Sequence, residues 1–478
     1  MGDLADHLRL AGSLWRLLRN DALLPREIEV RGTPIGLRLL AAVGRILGGR
    51  AARQGRPGQR LAAALEREGP VAIKLGQFLS TRADIFGPAF AEDLSRLKDR
   101  LAPFPTAIAR REVEAGLGRP VDALFERFED AVAAASLAQV HPARWRGGKE
   151  VAVKVLRPGV EQAVAADIRA LRLAARFALK HAPALERLEP LAFAETVARA
   201  LQLELDLRFE AAGADELGQA MAADGYMSAP GVIWEGVARR VLTLDWAGGR
   251  PLSDSQTLDT LGADRPRLAR QLIRGFLTQA LDHGVFHADL HEGNLFVDAH
   301  HRLVAVDFGI VGRLGLEERR YLAEILWGFI RRDYARVAEV HFAAGYVPAE
   351  HGRAAFAQAL RAVGEPVFGR RAAEVSMSRL LTQLFDITAL FDMRLRPELV
   401  LLQKTMVTVE GVGRRLDPEL DIWTAAEPVV RRWMSNALSP TQRLLDLAAA
   451  ARRVLETLAA EAPPAPRRPA APSPTPPP

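Results

Sequence analysis

Apolar residues recur every three to four positions from Leu8 to Arg19. Leu10, Leu14, Leu17 and Leu18 gather on one side of a predicted helix, and Arg9 and Arg16 share another. Ile35 to Leu47 repeats the pattern with Arg38 and Arg45. Two readings fit such segments. They are basic amphipathic helices that lie on an anionic membrane surface, or they pack on the body of the protein and show arginine to water. The period then changes. "AVAAASLAQV" leads into "VHPARWRGGKEVAVKVL", where apolar residues alternate, and Gly147-Gly148 predicts the turn of a β-hairpin. Helical spacing runs from Val160 to about Ala220 and is read as continuous through "LELDLRFEAAGADEL". "VIWEGVARRVLTLDWAGG" predicts two more strands, and Leu268 to His283 predicts a helix ended by Gly284. "LFVDAHHRLVAVDFG" predicts a second hairpin with Asp298 to Arg302 as its turn. From Leu316 the spacing is helical to about Leu458. Nine prolines in the last sixteen residues predict a disordered tail.

Composition narrows this picture. At 478 residues and 49% hydrophobic, the chain can bury a large core, in two or three domains or one large bilobed one. The absence of cysteine excludes disulfides, thiol catalysis and cysteine-based zinc sites. Residues 1–60 hold eleven arginines and five acidic residues, an excess as large as the +6 of the whole chain. No uncharged apolar run nears the roughly 20 residues that span a bilayer. No secretory signal is evident at the N-terminus. A soluble or peripheral protein is therefore expected.

The candidate chemistry lies in "VFHADLHEGNLFV" and the "DFG" that follows. His287-Ala288-Asp289, Asn294 five residues after the aspartate, and Asp307-Phe308-Gly309 across a hairpin resemble the catalytic and metal loops of a kinase. Phosphoryl transfer needs positioning and charge neutralisation more than covalent chemistry. Asp289 fits the role of acceptor-side carboxylate, and Asn294 and Asp307 those of Mg²⁺ ligands. A metal site of His287, Asp289 and His291 on one side of an extended strand is a competing reading, and purely structural His and Asp a third. His291 stands where kinases usually carry a lysine, and no Gly-rich loop precedes it.

Lys154, inside "VAVKVL", shares a strand face with Ala152 and Leu156, as a nucleotide-facing lysine requires. Its acidic partner is sought in Glu204, Asp206 and Glu210. On one helix Asp206 and Glu210 share a face and Glu204 points elsewhere. Glu210 is the favoured partner, with Glu204 the alternative and a solvated acidic face the plain reading. Lys74, Gly76 and Gln77 lie in an otherwise apolar helical segment, which alone reads as a helix with a surface lysine.

Together these segments resemble the UbiB family of atypical kinases. The K-x-G-Q of Lys74 to Gln77, the Ala-rich Ala133, Ala134, Ala135 and Ser136, "VAVKVLRPG", the E-x-D of Glu204 to Asp206, "FHADLHEGNLFV" and "DFG" occur in that family's order. The resemblance covers most of the chain. It implies an α+β, bilobed protein-kinase-like fold with a helical N-terminal extension carrying K-x-G-Q. It also implies that the Ala-rich loop replaces the Gly-rich phosphate loop, and that Lys74 and Gln77 line the pocket with Glu204 and Asp206. ATP and Mg²⁺ are the implied ligands, with ATPase activity in support of ubiquinone biosynthesis. A true small-molecule or protein kinase with Asp289 as base, or a nucleotide-gated lipid-binding scaffold, are the rival functions.

The expected partners are an anionic lipid surface and ubiquinone precursors or other ubiquinone-biosynthesis proteins. A homodimer is left open, and no nucleic acid is expected. The expected location is peripheral, on the cytoplasmic side of the bacterial inner membrane. On this reading residues 1–70 form the basic helical segment and 71–245 the K-x-G-Q extension with the N-lobe. Residues 246–440 form the helical C-lobe, and 441–478 a terminal helix and Pro-rich tail. Two departures stand out. Relatives end in spanning helices where this chain has the charged "LLDLAAAARRVLETLAAE". Leu290 and Glu292 also replace the two prolines common in H-A-D-P-H-P-G-N, so the loop is expected to be less rigid.

Overall fold

The computed structural model describes residues 2–22, 42–44, 46–48, 55–80, 88–95, 97, 102–181, 190–254, 256–367, 387, 390–393 and 397–437. Most of the predicted segment 35–47, and the tail beyond residue 437, lie outside the described residues. Helix α1 spans Gly2–Arg19. Helices α2 (Pro57–Glu68), α3 (Pro70–Ser80) and α4 (Pro88–Ser95) follow and enclose a small core of Leu65, Ile73, Leu94 and Leu97. On α1, Leu18 is buried and Arg16 is ion-paired with Glu68 of α2, so the end of this helix packs on the body, with Trp15 left exposed.

The N-terminal lobe is an antiparallel sheet of β1 (Phe125–Phe128), β2 (Ala133–Ala134), β3 (Ala138–Trp145), β4 (Lys149–Leu156) and β6 (Val241–Asp245). Its order is β1-β3-β4-β6, with β2 paired to β3. The period of two sorts β4 between two cores. Val151, Val153 and Val155 pack with Val113 of α5 (Thr106–Leu117) and with Val121 and Leu124 of the short α6 (Val121–Leu124). Leu156 joins the other core, with α7 (Val160–His181), α8 (Pro190–Glu204) and α9 (Leu207–Asp224). Lys154 stands opposite Leu242, which also belongs to that second core. Only one of the two strands expected in 232–249 forms. Residues before β6 make a 3₁₀ turn, Trp234–Gly236, and a single bridge from Val232 to Leu244.

The C-terminal lobe is largely helical. After β5 (Met227–Ser228), β7 (Arg250–Pro251) and α10 (Thr257–Leu261) comes α11 (Arg265–Thr278). Its end widens into a π-turn, Gln279–His283, and stops at Gly284, whose φ of 69° closes the cap. β8 (Val285–His287) then enters the site loop. β9 (Leu295–Val297) and β10 (Leu303–Ala305) form the expected hairpin, and β11 (Val311–Arg313) returns beside β8. Helices α12 (Leu316–Arg331), α13 (Tyr334–Ala343), α14 (Arg353–Gly364), α15 (Pro397–Leu416) and α16 (Ile422–Ala437) complete the lobe. Phe276, Phe286, Tyr334 and Phe356 are fully buried in its core. No described helix is long and apolar enough to cross a membrane.

Candidate active site

The two lobes meet at three charges. Lys154 Nζ lies 2.7 and 2.9 Å from the two carboxylate oxygens of Glu210, and 3.4 Å from Asp307 Oδ1. β4 aims the lysine, the first turn of α9 supplies the glutamate, and the loop after β10 brings the aspartate. Burial opposes the ammonium's charge, but Asp307 and Glu210 outweigh it, and the lysine is held protonated well above its ordinary range. Asp307 is drawn down to about 2, first by Lys154, against burial, with Lys74 and the Gly309 N–H assisting. Glu210 moves the other way. Burial pushes it up, Lys154 pulls it down, and Asp307 adds like charge. Two carboxylates thus share one cation, and the more exposed of them, Asp307, is the one poised to take a second.

Glu204 and Glu210 do not lie on one helix. α8 ends at Glu204, and α9 begins at Leu207, with Asp206 as its N-cap accepting from the Arg208 N–H at 3.2 Å. This break corrects the expectation of a continuous helix and separates the acids. Glu210 takes Lys154. Glu204 Oε2 meets Lys74 Nζ at 3.1 Å, with both side chains mostly buried. Asp206 is held by the Arg208 guanidinium at 2.8 and 2.6 Å, so it shapes the helix start. Gly76 explains the small residue in K-x-G-Q. A Cβ there would stand 2.2 Å from Leu97 Cδ1 and 2.8 Å from Leu65 Cδ1. Glycine at this position makes room for Leu65 of α2 and for Leu97, just past α4, against α3. Gln77 is half-buried on the same helix, and its carbonyl accepts from Ser80.

The Ala-rich turn sits between β2 and β3. Ala133 and Ala134 pair with β3, the Ala135 N–H donates to Ala138 O at 2.8 Å, and Arg157 holds Ala135 O at 3.0 Å. Ser136 is fully buried.

His287 ties the Asp289 and Asp307 loops together. It is fully buried, and burial pushes its pKa down. As neutral imidazole its Nε2–H donates to Val306 O at 3.1 Å, and Nδ1 accepts the Asp289 N–H at 3.1 Å. Both nitrogens are occupied, which removes His287 as a ligand in the rival metal reading; among the described residues no His/Asp/Glu cluster suited to a metal occurs. Asp289 projects half-exposed, 3.7 Å from His291 Nε2. Asn294 Nδ2 donates to Asp289 O at 3.1 Å, so its amide oxygen, an acceptor, is the atom that could ligate a cation. Asp307 itself sits at φ 62°, a left-handed conformation that aspartate tolerates. Behind it Phe308 is buried against His287, with ring centroids 5.1 Å apart. Gly213 of α9 approaches this turn so closely that a Cβ would meet Val311 at 3.0 Å. One amide oxygen and one ionised carboxylate suit a hard cation that also takes phosphate and water oxygens.

Three residues that hold this geometry escaped the sequence pattern. Gln279 in the π-turn accepts the His287 N–H at 3.1 Å, Thr405 of α15 reaches the Ala288 carbonyl at 3.0 Å, and Arg415 pairs with Glu292. None carries a local signal, since each acts on a loop over 100 residues away or through a backbone atom.

A buried Lys–Glu pair against a DFG aspartate, with an H-x-D loop tied to that aspartate's loop through His287, is a protein-kinase-like site. Residues 96–341 match the ABC1 atypical kinase-like domain, and residues 360–421 match the UbiB helical domain. The chain is 40% identical over 389 residues to a probable protein kinase UbiB of Aeromonas hydrophila, covering 80% of this chain and 71% of that one. It is also 40% identical over 392 residues to the probable protein kinase UbiB of Pseudomonas aeruginosa, covering 81% and 74%. The chain therefore belongs to the UbiB family of atypical kinase-like proteins. Its fold is shared with the erythromycin complex of Rv3197 from Mycobacterium tuberculosis, with TM-score 0.54 and 24% identity over 81% of this chain and 97% of that one.

Proposed function

We propose that the chain is an ATP-dependent phosphotransferase or ATPase of the UbiB family that supports ubiquinone biosynthesis, with Mg²⁺-ATP held between the lobes. The observation that carries this reading is the cross-lobe triad: Lys154 bonded to Glu210 and 3.4 Å from Asp307. Lys154 would take the α- and β-phosphates while Glu210 keeps its ammonium in place. Asn294 and Asp307 would hold the metal, which when bound neutralises phosphate charge. Asp289 would accept the proton of the attacking hydroxyl, whether of water or of an acceptor. The Ala-rich turn would lie over the phosphates. Lys74, fixed by Glu204, adds a cation to the Asp307 side of the site. Turnover of ATP by the purified protein tests this, with and without Mg²⁺, anionic liposomes and phenolic mimics of ubiquinone precursors. No Mg²⁺-dependent turnover or binding under any condition refutes it.

The same reading places the protein peripherally on the cytoplasmic face of the inner membrane, in contact with anionic lipid. The arginine excess of residues 1–60 supports this, carried by arginines other than Arg16, which Glu68 already holds. Each basic residue near such a surface contributes on the order of 1 kcal/mol, an effect that salt screens. Deleting residues 1–50 should then abolish low-salt sedimentation with anionic liposomes and leave nucleotide binding intact. A truncated protein that still pellets as well as the full chain moves the anchor elsewhere.

A further inference from the structure

Helix α15 touches the loop bearing Asp289 at two points, although it lies in the matched helical-domain segment and more than 100 residues further along the chain. Thr405 is buried, and its Oγ1–H shares its proton between Ala288 O at 3.0 Å and Leu401 O at 2.8 Å, the carbonyl one turn back. Ala288 directly precedes Asp289, and its own N–H donates to Ile310 O at 3.1 Å. The backbone before Asp289 is therefore held from α15 and from the β11 side. Ten residues further along α15, about 15 Å of helix, Arg415 forms an ion pair with Glu292. Glu292 opens the 3₁₀ turn that ends at Asn294. The loop is thus fastened to one helix on both sides of Asp289.

Within this loop the Arg415–Glu292 pair is a side-chain tether from a distant helix. The Arg415–Glu292 pair is largely exposed, and such pairs contribute little to global stability. What it does hold is local: a turn with Asp289 three residues to one side and Asn294 two to the other. α15 is in turn packed on α11, and Gly413 makes room for Leu420, whose Cδ2 would stand 2.7 Å from a Cβ there.

We infer that α15 is a positioning helix for the reaction centre, with Thr405 and Arg415 setting where Asp289 points. The inference rests on the role given to Asp289 under Proposed function. The test is a charge swap. In Glu292→Arg and in Arg415→Glu, kcat for ATP turnover should fall about three- to tenfold while KM for ATP stays within about twofold. The Glu292→Arg/Arg415→Glu double variant should recover to within about twofold of the parent. Thr405→Val, which keeps the buried shape and removes the hydroxyl, should lower kcat and leave KM in place. Amide hydrogen exchange over residues 288–294 should quicken in each single variant and slow again in the double. Singles that turn over and exchange like the parent, or a double variant as slow as the singles, overturn the inference. If the parent protein shows no turnover, the reading of the site fails. The exchange measurement then still decides whether Thr405 and Arg415 hold the loop.

Discussion

Replacing Glu210 by Gln removes one charge from the cross-lobe triad and leaves its shape. Lys154 loses a carboxylate bonded at 2.7 and 2.9 Å and keeps Asp307 at 3.4 Å. A hydrogen bond to a charged group contributes about 1.5–3 kcal/mol, and stripping the partner from a buried ion costs about 3–5 kcal/mol. The cost here falls below that upper range for two reasons. Asp307 still faces the ammonium, and the Lys154 side chain keeps 19% exposure to water. A loss of about 1–3 kcal/mol follows, visible as an apparent Tm lower by a few degrees. The functional effect should be larger than the structural one. With Glu210 neutral, Lys154 is drawn wholly toward Asp307, the carboxylate proposed to hold the metal. Each 1.4 kcal/mol of misplaced charge is tenfold in rate. ATP turnover should fall at least tenfold, and the Mg²⁺ concentration for half-maximal turnover should rise. Paired thermal-shift and turnover assays across a Mg²⁺ series measure both. Parental turnover with parental Mg²⁺ dependence would refute the triad as the phosphate-holding device, whatever happens to Tm.

Lys74→Ala should change ATP turnover or unmask autophosphorylation, because it removes a cation that helps hold Asp307 ionised and that pairs with Glu204; if neither turnover nor phosphate incorporation moves, Lys74 is structural. Gly76→Ala gains helix propensity of about 0.5–1 kcal/mol but places a Cβ 2.2 Å from Leu97 Cδ1, an overlap worth about 1–3 kcal/mol. Net destabilisation, with Tm lowered by a few degrees, is the expected outcome in a thermal scan, and a raised Tm contradicts the packing argument.

The sequence and the structure agree most closely where periodicity and burial act together. The alternation in "VAVKVL" put Lys154 on the face away from Val151, Val153 and Val155, because only that register buries all three valines. The second hairpin, with Asp298 in its turn, was legible for the same reason: short strands, a polar turn, and strands buried at Leu295, Val297 and Leu303. The first acid pair was not legible. Glu204 and Glu210 differ by a helix break that a single capping aspartate makes, and helical spacing in "LELDLRFE" runs on through it. Glu210, the favoured partner of Lys154, is the acid bonded to it, although it stands at the start of its own helix and not on the continuous one expected. The first half of "VIWEGVARRVLTLDW" looks like a strand because its apolar residues are needed for packing. Val232 makes only one bridge before Trp234–Gly236 turns. Thr405 and Arg415 were invisible because an ordinary helical threonine and a basic last turn carry no mark of a contact more than 100 residues distant.

The proposed reaction centre is a metal-bound nucleotide between Lys154 and Asp307. The most direct measurement is the ATP-induced thermal shift of the purified chain, with and without Mg²⁺, beside that of Asp307→Asn. The parent should be stabilised by ATP far more with Mg²⁺ than without, and Asp307→Asn should lose the Mg²⁺-dependent part and keep its fold. An Asp307→Asn protein stabilised by Mg²⁺-ATP as fully as the parent contradicts the assignment.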